Sequence, residues 1–542
     1  MTDLVRHLVV VPIILPLVAA ALTLFFDERQ RNVRAAISFG ATSIVLIVAV
    51  VLLFEASDAG QRQGAATTYA IGDWVAPFGI VLVADRLSAM LLALTSFLGL
   101  ATLLFSLARW DRAGPRFHAL FLLLLMGVNG AFLTGDLFNL FVFFEVLLAA
   151  SYGLALHGSG AGRVKAGLHY VIVNLVASSL LLIGVAMIYG LTGTLNMADL
   201  AAKIPAIAAS DRMLFEIACA VLGVAFLIKA AMWPLGFWLP DTYSAASAPV
   251  AGMFAILTKV GVYVVIRLSL LLFGPEAGES AGFGHQFLVV GGIVTIAFGT
   301  FGVLASRAMS RVAGYCVIVS AGTILAVVGI GGQAALAGAL YYLVSSTLGA
   351  SAFFLLIELL DRTRGESTET PESDPVFSDE FRDPYEDGTE TDEIGIVIPA
   401  AVGLVSGGFI LCALLLAGLP PLSGFVGKFA VMTGIMGLDG QTPAAAWVLI
   451  GFLTFSSFGM LIAFARVGID VLWAPDERPP PVVKPVEFLA IAALLVSALA
   501  LSIEGGLAMR FMNSTSAWLH APLDYVNAVL APAGGPSPGG AP

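Results

Sequence analysis

Charge is scarce in this 542-residue sequence: Asp, Glu, Lys and Arg together make up 12% of it, about half of the quarter that soluble domains carry. With 59% hydrophobic residues and a mean hydropathy of +0.96, the composition excludes a soluble globular domain and leaves an integral membrane protein. Cysteine is nearly absent. Cys219, Cys316 and Cys412 each stand inside an apolar run without metal-ligand spacing, which leaves no disulfide framework and no zinc site, only three small hydrophobes. Also missing are a Walker-type glycine loop, haem or zinc spacing and a nucleophile elbow, so no bound cofactor or metal is expected. Energy for any work then has to come from an ion gradient or from a partner.

The net charge of −11 is confined to one place, because residues 361–393 hold thirteen acids against three arginines, a balance of −10. The segment 362–393, also rich in Ser, Thr and Pro, reads as a solvated loop, with a docking tail for a basic partner as the alternative. No basic patch suggests a nucleic acid. The end, 531–542, "APAGGPSPGGAP", is of low complexity and is expected to be disordered.

What is abundant is apolar runs near the ~20 residues a helix needs to cross a bilayer. Fourteen are found, from 7–26 to 485–504, and the first is too long for a signal-peptide core, so it is expected to be a retained span. Two runs, 213–240 and 394–436, exceed one straight helix and carry prolines in mid-run. Basic residues follow the odd-numbered runs: Arg29, Arg31 and Arg34 after the first; Arg109, Arg112 and Arg116 after the third; Arg163 and Lys165 after the fifth; Arg307 and Arg311 after the ninth; Arg478 and Lys484 after the thirteenth. Short cytoplasmic loops collect Lys and Arg. Both termini are therefore expected outside and the acidic segment 362–393 in the cytoplasm.

The two long runs are interrupted alike. "FLIKAAMWPLGFWLP" (226–240) places Lys229 before Pro234, and "GLPPLSGFVGKF" places Lys428 after Pro421. Paired interrupted spans point to a transporter with inverted repeats, its pathway near the breaks, and non-helical backbone at membrane depth needs protein or water around it. Four ionisable residues lie deep in spans: Glu145, Lys229, Lys259 and Lys428. Each costs roughly 2.5–3.5 kcal/mol at a helix centre, so each needs a partner. Glu145 is eight residues into its span, about 12 Å at 1.5 Å per residue, too deep for its side chain to reach water; Lys229 is its expected partner. A row of three lysines joined by hydroxyls and water would form a lateral proton relay; the alternative is a set of static ion pairs that only fix helix packing. Asp136, at a span edge, reads as a cap or as part of an ion entrance. His169 reads as an interfacial residue or a further relay member.

"FNLFVFFEVLLAASYGL", "KAAMWPLGFWLPDTYSAASAPVAGMFAILTKVGVY" and "AGLPPLSGFVGKF" resemble the central motifs of the antiporter-like subunits shared by Mrp-type (Pha-type) cation/proton antiporters and respiratory complex I, over about residues 75–470. In wording and chain length the resemblance is strongest to the D-type subunits of Mrp antiporters. It implies an all-α polytopic membrane protein of about fourteen transmembrane helices. The implied layout is 1–110 for helices 1–3, 115–273 and 286–472 for two inverted five-helix repeats with broken helices 7 and 12, and 485–504 for helix 14. It also implies roles: Glu145 as the carboxylate of an ion pair, Lys229 as its partner, Lys259 as the central relay residue and Lys428 as the terminal one. In one respect this chain departs from many relatives, which carry a histidine and a lysine in the eleventh span. Here "YYLVSSTLGASAFF" supplies Ser345, Ser346 and Thr347, so hydroxyls and water would have to carry the proton.

The expectation is thus a non-enzymatic subunit of a multisubunit Na⁺ (or K⁺)/H⁺ antiporter in a bacterial inner membrane, with other subunits, the cation, protons and lipid as partners. The competing readings are a proton-pumping subunit of a quinone-reducing respiratory complex and a noncatalytic scaffold.

Overall fold

The computed structural model describes residues 6–27, 30–58, 66–114, 116–158, 160–363, 400–437, 443–469 and 483–530. The acidic segment expected over 362–393, beyond its first two residues, and the tail 531–542 lie outside the described residues, as does Arg478.

Helices dominate, and each apolar run of the sequence carries one or a broken pair. They are α1 (Val11–Leu24), α2 (Arg31–Asp58), α3 (Arg86–Ser106), α4 (Phe117–Leu133), α5 (Leu137–Ala155), α6 (Ala161–Thr192), α7 (Met197–Lys203), α8 (Ala209–Lys229), α9 (Leu239–Ala245), α10 (Ala248–Phe254), α11 (Leu257–Leu272), α12 (His285–Ala305), α13 (Met309–Ile330), α14 (Gln333–Thr363), α15 (Ala400–Ala417), α16 (Ser423–Met436), α17 (Ala444–Gly468), α18 (Pro485–Ile503), α19 (Gly505–Leu519) and α20 (Pro522–Leu530). Among the described residues, ten segments are long and apolar enough to cross a membrane, and four shorter apolar helices accompany them. The chain is a multi-pass membrane protein. The apolar windows of α10–α11, α13 and α14 are 100%, 89% and 94% buried, against 39% for α2, α6 and α17. These three therefore form an interior spine, and the others turn apolar side chains outward, as lipid contact requires.

Both long runs break where their prolines fall. The first gives α8, an irregular turn through Pro234, and α9; the second gives α15, a turn through Pro421, and α16. A proline lacks the amide that would continue the ladder and clashes with the preceding turn.

Two features were not legible in the sequence. A short antiparallel hairpin, β1 (Thr67–Ala70) with β2 (Val81–Ala84), pairs Thr67 with Ala84 and Ala70 with Val81. Four-residue strands with no sustained alternation leave little pattern to read. Past residue 504, α19 and α20 return over the same end of the bundle: Ser516 donates to the Gln333 carbonyl (2.7 Å) and Trp518 Nε1 to Asp85 Oδ2 (3.0 Å).

That end holds a buried ion pair. Asp85, fully buried, caps α3 by accepting from the Ser88 amide and meets Arg267 of α11 at 2.5 Å. Arg267 lies over the rings of Tyr263 and Tyr525 (5.6 and 5.0 Å). Burial pushes the Asp85 carboxyl up, but Arg267, the Ser88 amide and the Trp518 indole outweigh it and hold its pKa below the usual range. The tie fixes α11, which carries Lys259, to α3 and to the C-terminal helices. At the opposite end the loops after the odd-numbered runs converge. Arg31 pairs with Asp111, Lys484 donates to the Ala108 carbonyl (2.7 Å), Arg163 to that of Ala245 (2.7 Å) and Arg466 to that of Ser306 (2.6 Å), while Arg311 pairs with Asp241 (2.7 Å).

Replacing one member of a buried pair strands the other charge, at a cost of about 3–5 kcal/mol. Arg267→Met should therefore sharply lower the melting temperature and yield of detergent-purified protein, and Asp85→Asn in the same chain should restore most of the loss. A single variant as stable as the parent would contradict the assignment.

Candidate functional site

Lys229, Lys259 and Lys428 are each at most 2% exposed, and each finds a polar partner. Lys229 is the last residue of α8, where the negative end of the helix dipole favours a cation. Its ammonium donates to Asn174 Oδ1 of α6 (3.2 Å) and lies 5.6 Å from the centre of the Tyr170 ring. Asn174 in turn donates to the Tyr170 carbonyl, and the Tyr170 hydroxyl meets Ser151 Oγ at 2.8 Å.

Lys428 stands in the half-helix after the other break. Its ammonium donates to the carbonyl of Ala417, the last residue of α15, at 3.1 Å, and to Ser457 Oγ at 2.8 Å. At this break the lysine thus meets the last carbonyl of α15, whereas at the first break the carbonyls of Phe226, Leu227 and Ile228 accept from the Ala230, Met232 and Ala231 amides and Lys229 takes a side-chain amide oxygen instead.

Lys259 stands in the first turn of α11 and donates to Ser320 Oγ of α13 at 2.8 Å. Ser320 is joined to Ser346 Oγ of α14 at 2.7 Å. The adjacent Ser345 meets Ser423 Oγ, in the first turn of α16, at 2.9 Å, and Ser423 lies five residues before Lys428. Gly427 lets α16 sit this close, since a Cβ there would stand 2.9 Å from Tyr342 Cα. Thr347 bonds back to the Leu343 carbonyl (2.6 Å) and takes no part in this line. The result is two segments, Lys259–Ser320–Ser346 across α11, α13 and α14 and Ser345–Ser423 from α14 to the Lys428 helix; among the described residues no hydrogen bond joins Ser346 to Ser345 or Ser423 to Lys428.

Glu145 is not joined to Lys229. Among the described residues it makes no ion pair, and its Oε1 is buried without a hydrogen-bond partner. The carboxylate nevertheless lies within Coulombic reach of Lys229, and the contact of Phe144 with Phe226 (5.6 Å) holds α5 against α8. The ammonium that the sequence pairs with Glu145 takes an amide oxygen instead. Asp136 is the N-cap of α5, accepting from the Asn139 amide at 2.8 Å; burial raises its pKa against the pull of the Asn139 and Phe138 amides. His169 is exposed, with its ring on Phe237 (5.2 Å), apart from the lysines. Pro234 and Pro421 lie in the two breaks. The three cysteines are buried and free.

Sequence reasoning missed Asn174, Ser320, Ser423 and Ser457. Asn174 carried a signal, an amide within an apolar span, whereas single serines in apolar runs do not stand out. It also passed over Arg267 and Glu358, two charges inside apolar runs that the burial argument covers equally.

The family model described as the NADH:quinone oxidoreductase/Mrp antiporter transmembrane region matches residues 134–375. The D-type subunit of a probable K⁺/H⁺ antiporter from Rhizobium meliloti is 53% identical over 98% of this chain and 99% of that protein. The chain belongs to the family of D-type antiporter subunits. A second relative, the D-type subunit of an Na⁺/H⁺ antiporter from Alkalihalophilus pseudofirmus, is 34% identical over 85% of this chain and 87% of that protein. Among solved structures, a chain of the Mrp complex from Dietzia sp. superposes with a TM-score of 0.80 at 27% identity, covering 97% of this chain and all of that one. The fold of this D-type family member and its complex-forming relatives thus agree with the resemblance in the central motifs.

If Ser320 and Ser346 act in one line, their effects should not add. Ser320→Ala and Ser346→Ala should each slow proton movement by reconstituted complexes several-fold at unchanged protein level, and the double variant should be no slower than the worse single. Additive losses would place the two hydroxyls in separate roles.

Proposed function

We propose that this chain is the proton-conducting membrane subunit of a multisubunit antiporter that exchanges K⁺ or Na⁺ for H⁺. The observation that carries the reading is the set of three buried ammonium groups with two pairs of serine hydroxyls, Ser320–Ser346 and Ser345–Ser423, between Lys259 and the helix of Lys428. A hydroxyl both donates and accepts, so each can take a proton on one side as it releases its own on the other. The hydroxyls on α14 fill the place where many relatives carry charged groups. Glu145, partly buried with an unpartnered oxygen, is the group whose attraction for Lys229 changes as the lysine gains or loses a proton. The electrical driving force, about 2.3 kcal/mol per charge per 100 mV, matches the cost of moving one such charge in a low-dielectric interior.

The paired breaks with their lysines support two inverted repeats over 115–273 and 286–472, in a bundle of fourteen crossing segments. The gathering of basic loops at one end supports that end as cytoplasmic, with both termini outside, in a bacterial inner membrane. Its partners are the other subunits of the antiporter complex, and the relatives' names, as D-type subunits of K⁺/H⁺ and of Na⁺/H⁺ antiporters, support both candidate cations.

Glu145→Gln keeps the size of the side chain and removes its charge. Antiport in everted vesicles, assayed with K⁺ and with Na⁺, should be abolished while the complex still assembles, and Lys229→Ala and Lys428→Ala should do the same. Normal antiport in a fully assembled variant would leave the chain a scaffold.

A further inference from the structure

A relay in the middle of the membrane needs a route to each surface, and the lysines themselves are buried. At the basic end a cavity of about 70 Å³ opens between α9, α10 and α14, its lining including Trp110, Arg163, Ser247, Ser310, Glu358 and Asp361. That is room for a few water molecules. Ser247 is the N-cap residue of α10, yet its hydroxyl makes no cap bond; at 1% exposure it has no hydrogen-bond partner at all. A serine at this position ordinarily satisfies a helix amide.

One further buried hydroxyl on the same seam is unpartnered. Ser351 of α14, fully buried, stands 3.2 Å from where a Cβ on Gly252 of α10 would be. Buried polar atoms without partners are rare and costly, and two on one helix seam mark a path that water can wet. Ser351 lies seven residues below Glu358, two turns along the same face of α14 and about 10 Å deeper at 1.5 Å per residue. Five residues deeper still is Ser346, which meets Ser320 and, through it, Lys259. The mouth is held by a clasp in which Trp110 and Arg362 both donate to Glu358, and Arg362 also meets Glu487 of α18 at 2.8 Å.

We propose that protons pass between the relay and the basic end through the cavity beneath Glu358 and Asp361 and along the α10–α14 seam, past Ser247 and Ser351, which links that surface to the Ser346–Ser320–Lys259 junction. The inference rests on the relay reading for its destination, while the wet seam stands on geometry alone. Gly252 is the narrow point. A side chain there meets Thr102 Cγ2 at 3.1 Å as well as Ser351 Oγ, so it closes the seam without touching the relay.

The test uses the assembled antiporter carrying Ser247→Cys or Ser351→Cys, treated with a small positively charged methanethiosulfonate in everted vesicles, with the parent protein as background. Both variants are expected to react from the side bearing the basic loops, and the reaction is expected to stop antiport. Gly252→Val is expected to protect Ser351→Cys but not Ser247→Cys and to slow antiport several-fold; Gly252→Ala, the milder change, covers the case in which valine prevents assembly. A folded Ser351→Cys complex that stays unreactive, or antiport undiminished after it reacts, overturns the path. Lys259→Ala separates the two claims: normal antiport there defeats the relay, whereas loss of antiport with an unreactive Ser351→Cys defeats only the path along the seam.

Discussion

An ammonium group taken out of water must be met by something negative, and this fold meets that demand with neutral dipoles: an amide oxygen for Lys229, a hydroxyl for Lys259, and a carbonyl and a hydroxyl for Lys428. Lys229 closes α8 and Lys428 reaches the last carbonyl of α15. Of the two breaks, the second lends a backbone carbonyl to its lysine, while the first leaves Lys229 to the Asn174 amide oxygen. The compensation is partial: a carbonyl dipole holds a cation less firmly than a carboxylate would. A group held in this way can change its protonation without stranding a full opposite charge, which a tight buried ion pair does not allow.

The interior is arranged around that constraint. The spine of α10–α11, α13 and α14 carries Lys259 and the serines, while the more lipid-exposed helices shield it. Each end is fastened by a buried acidic residue. Asp85 ties α3, α11 and the C-terminal helices together, and Glu358, with Arg362, ties α14 to Trp110 and to Glu487. These fasteners keep neighbouring helices in register, so hydroxyl pairs of 2.7–2.9 Å persist between segments far apart in sequence.

Much of this is legible in the sequence because a bilayer makes two signals strong. Apolar runs near 20 residues mark spans, and isolated charges within them stand out, which is how Glu145, Lys229, Lys259 and Lys428 come to notice. The loop arginines indicate which ends converge. The partners are harder to read. That Lys229 meets Asn174 rather than Glu145 depends on how α6 and α5 rotate about their axes, and no spacing within one helix reports that. The hairpin and helices α19 and α20 escape for the opposite reason, being short or amphipathic and made of ordinary residues.

The serines of α14 differ from a charged bridge in one respect that sets a rhythm for the molecule. A hydroxyl that has passed a proton along is left pointing the wrong way and must swing back before it can accept the next. In the proposed relay Ser320 with Ser346, and Ser345 with Ser423, would act as turnstiles rather than stores: they would hold no net charge between passages, and each passage would leave them needing a reset. A protein built this way separates its two lysine compartments by a pause.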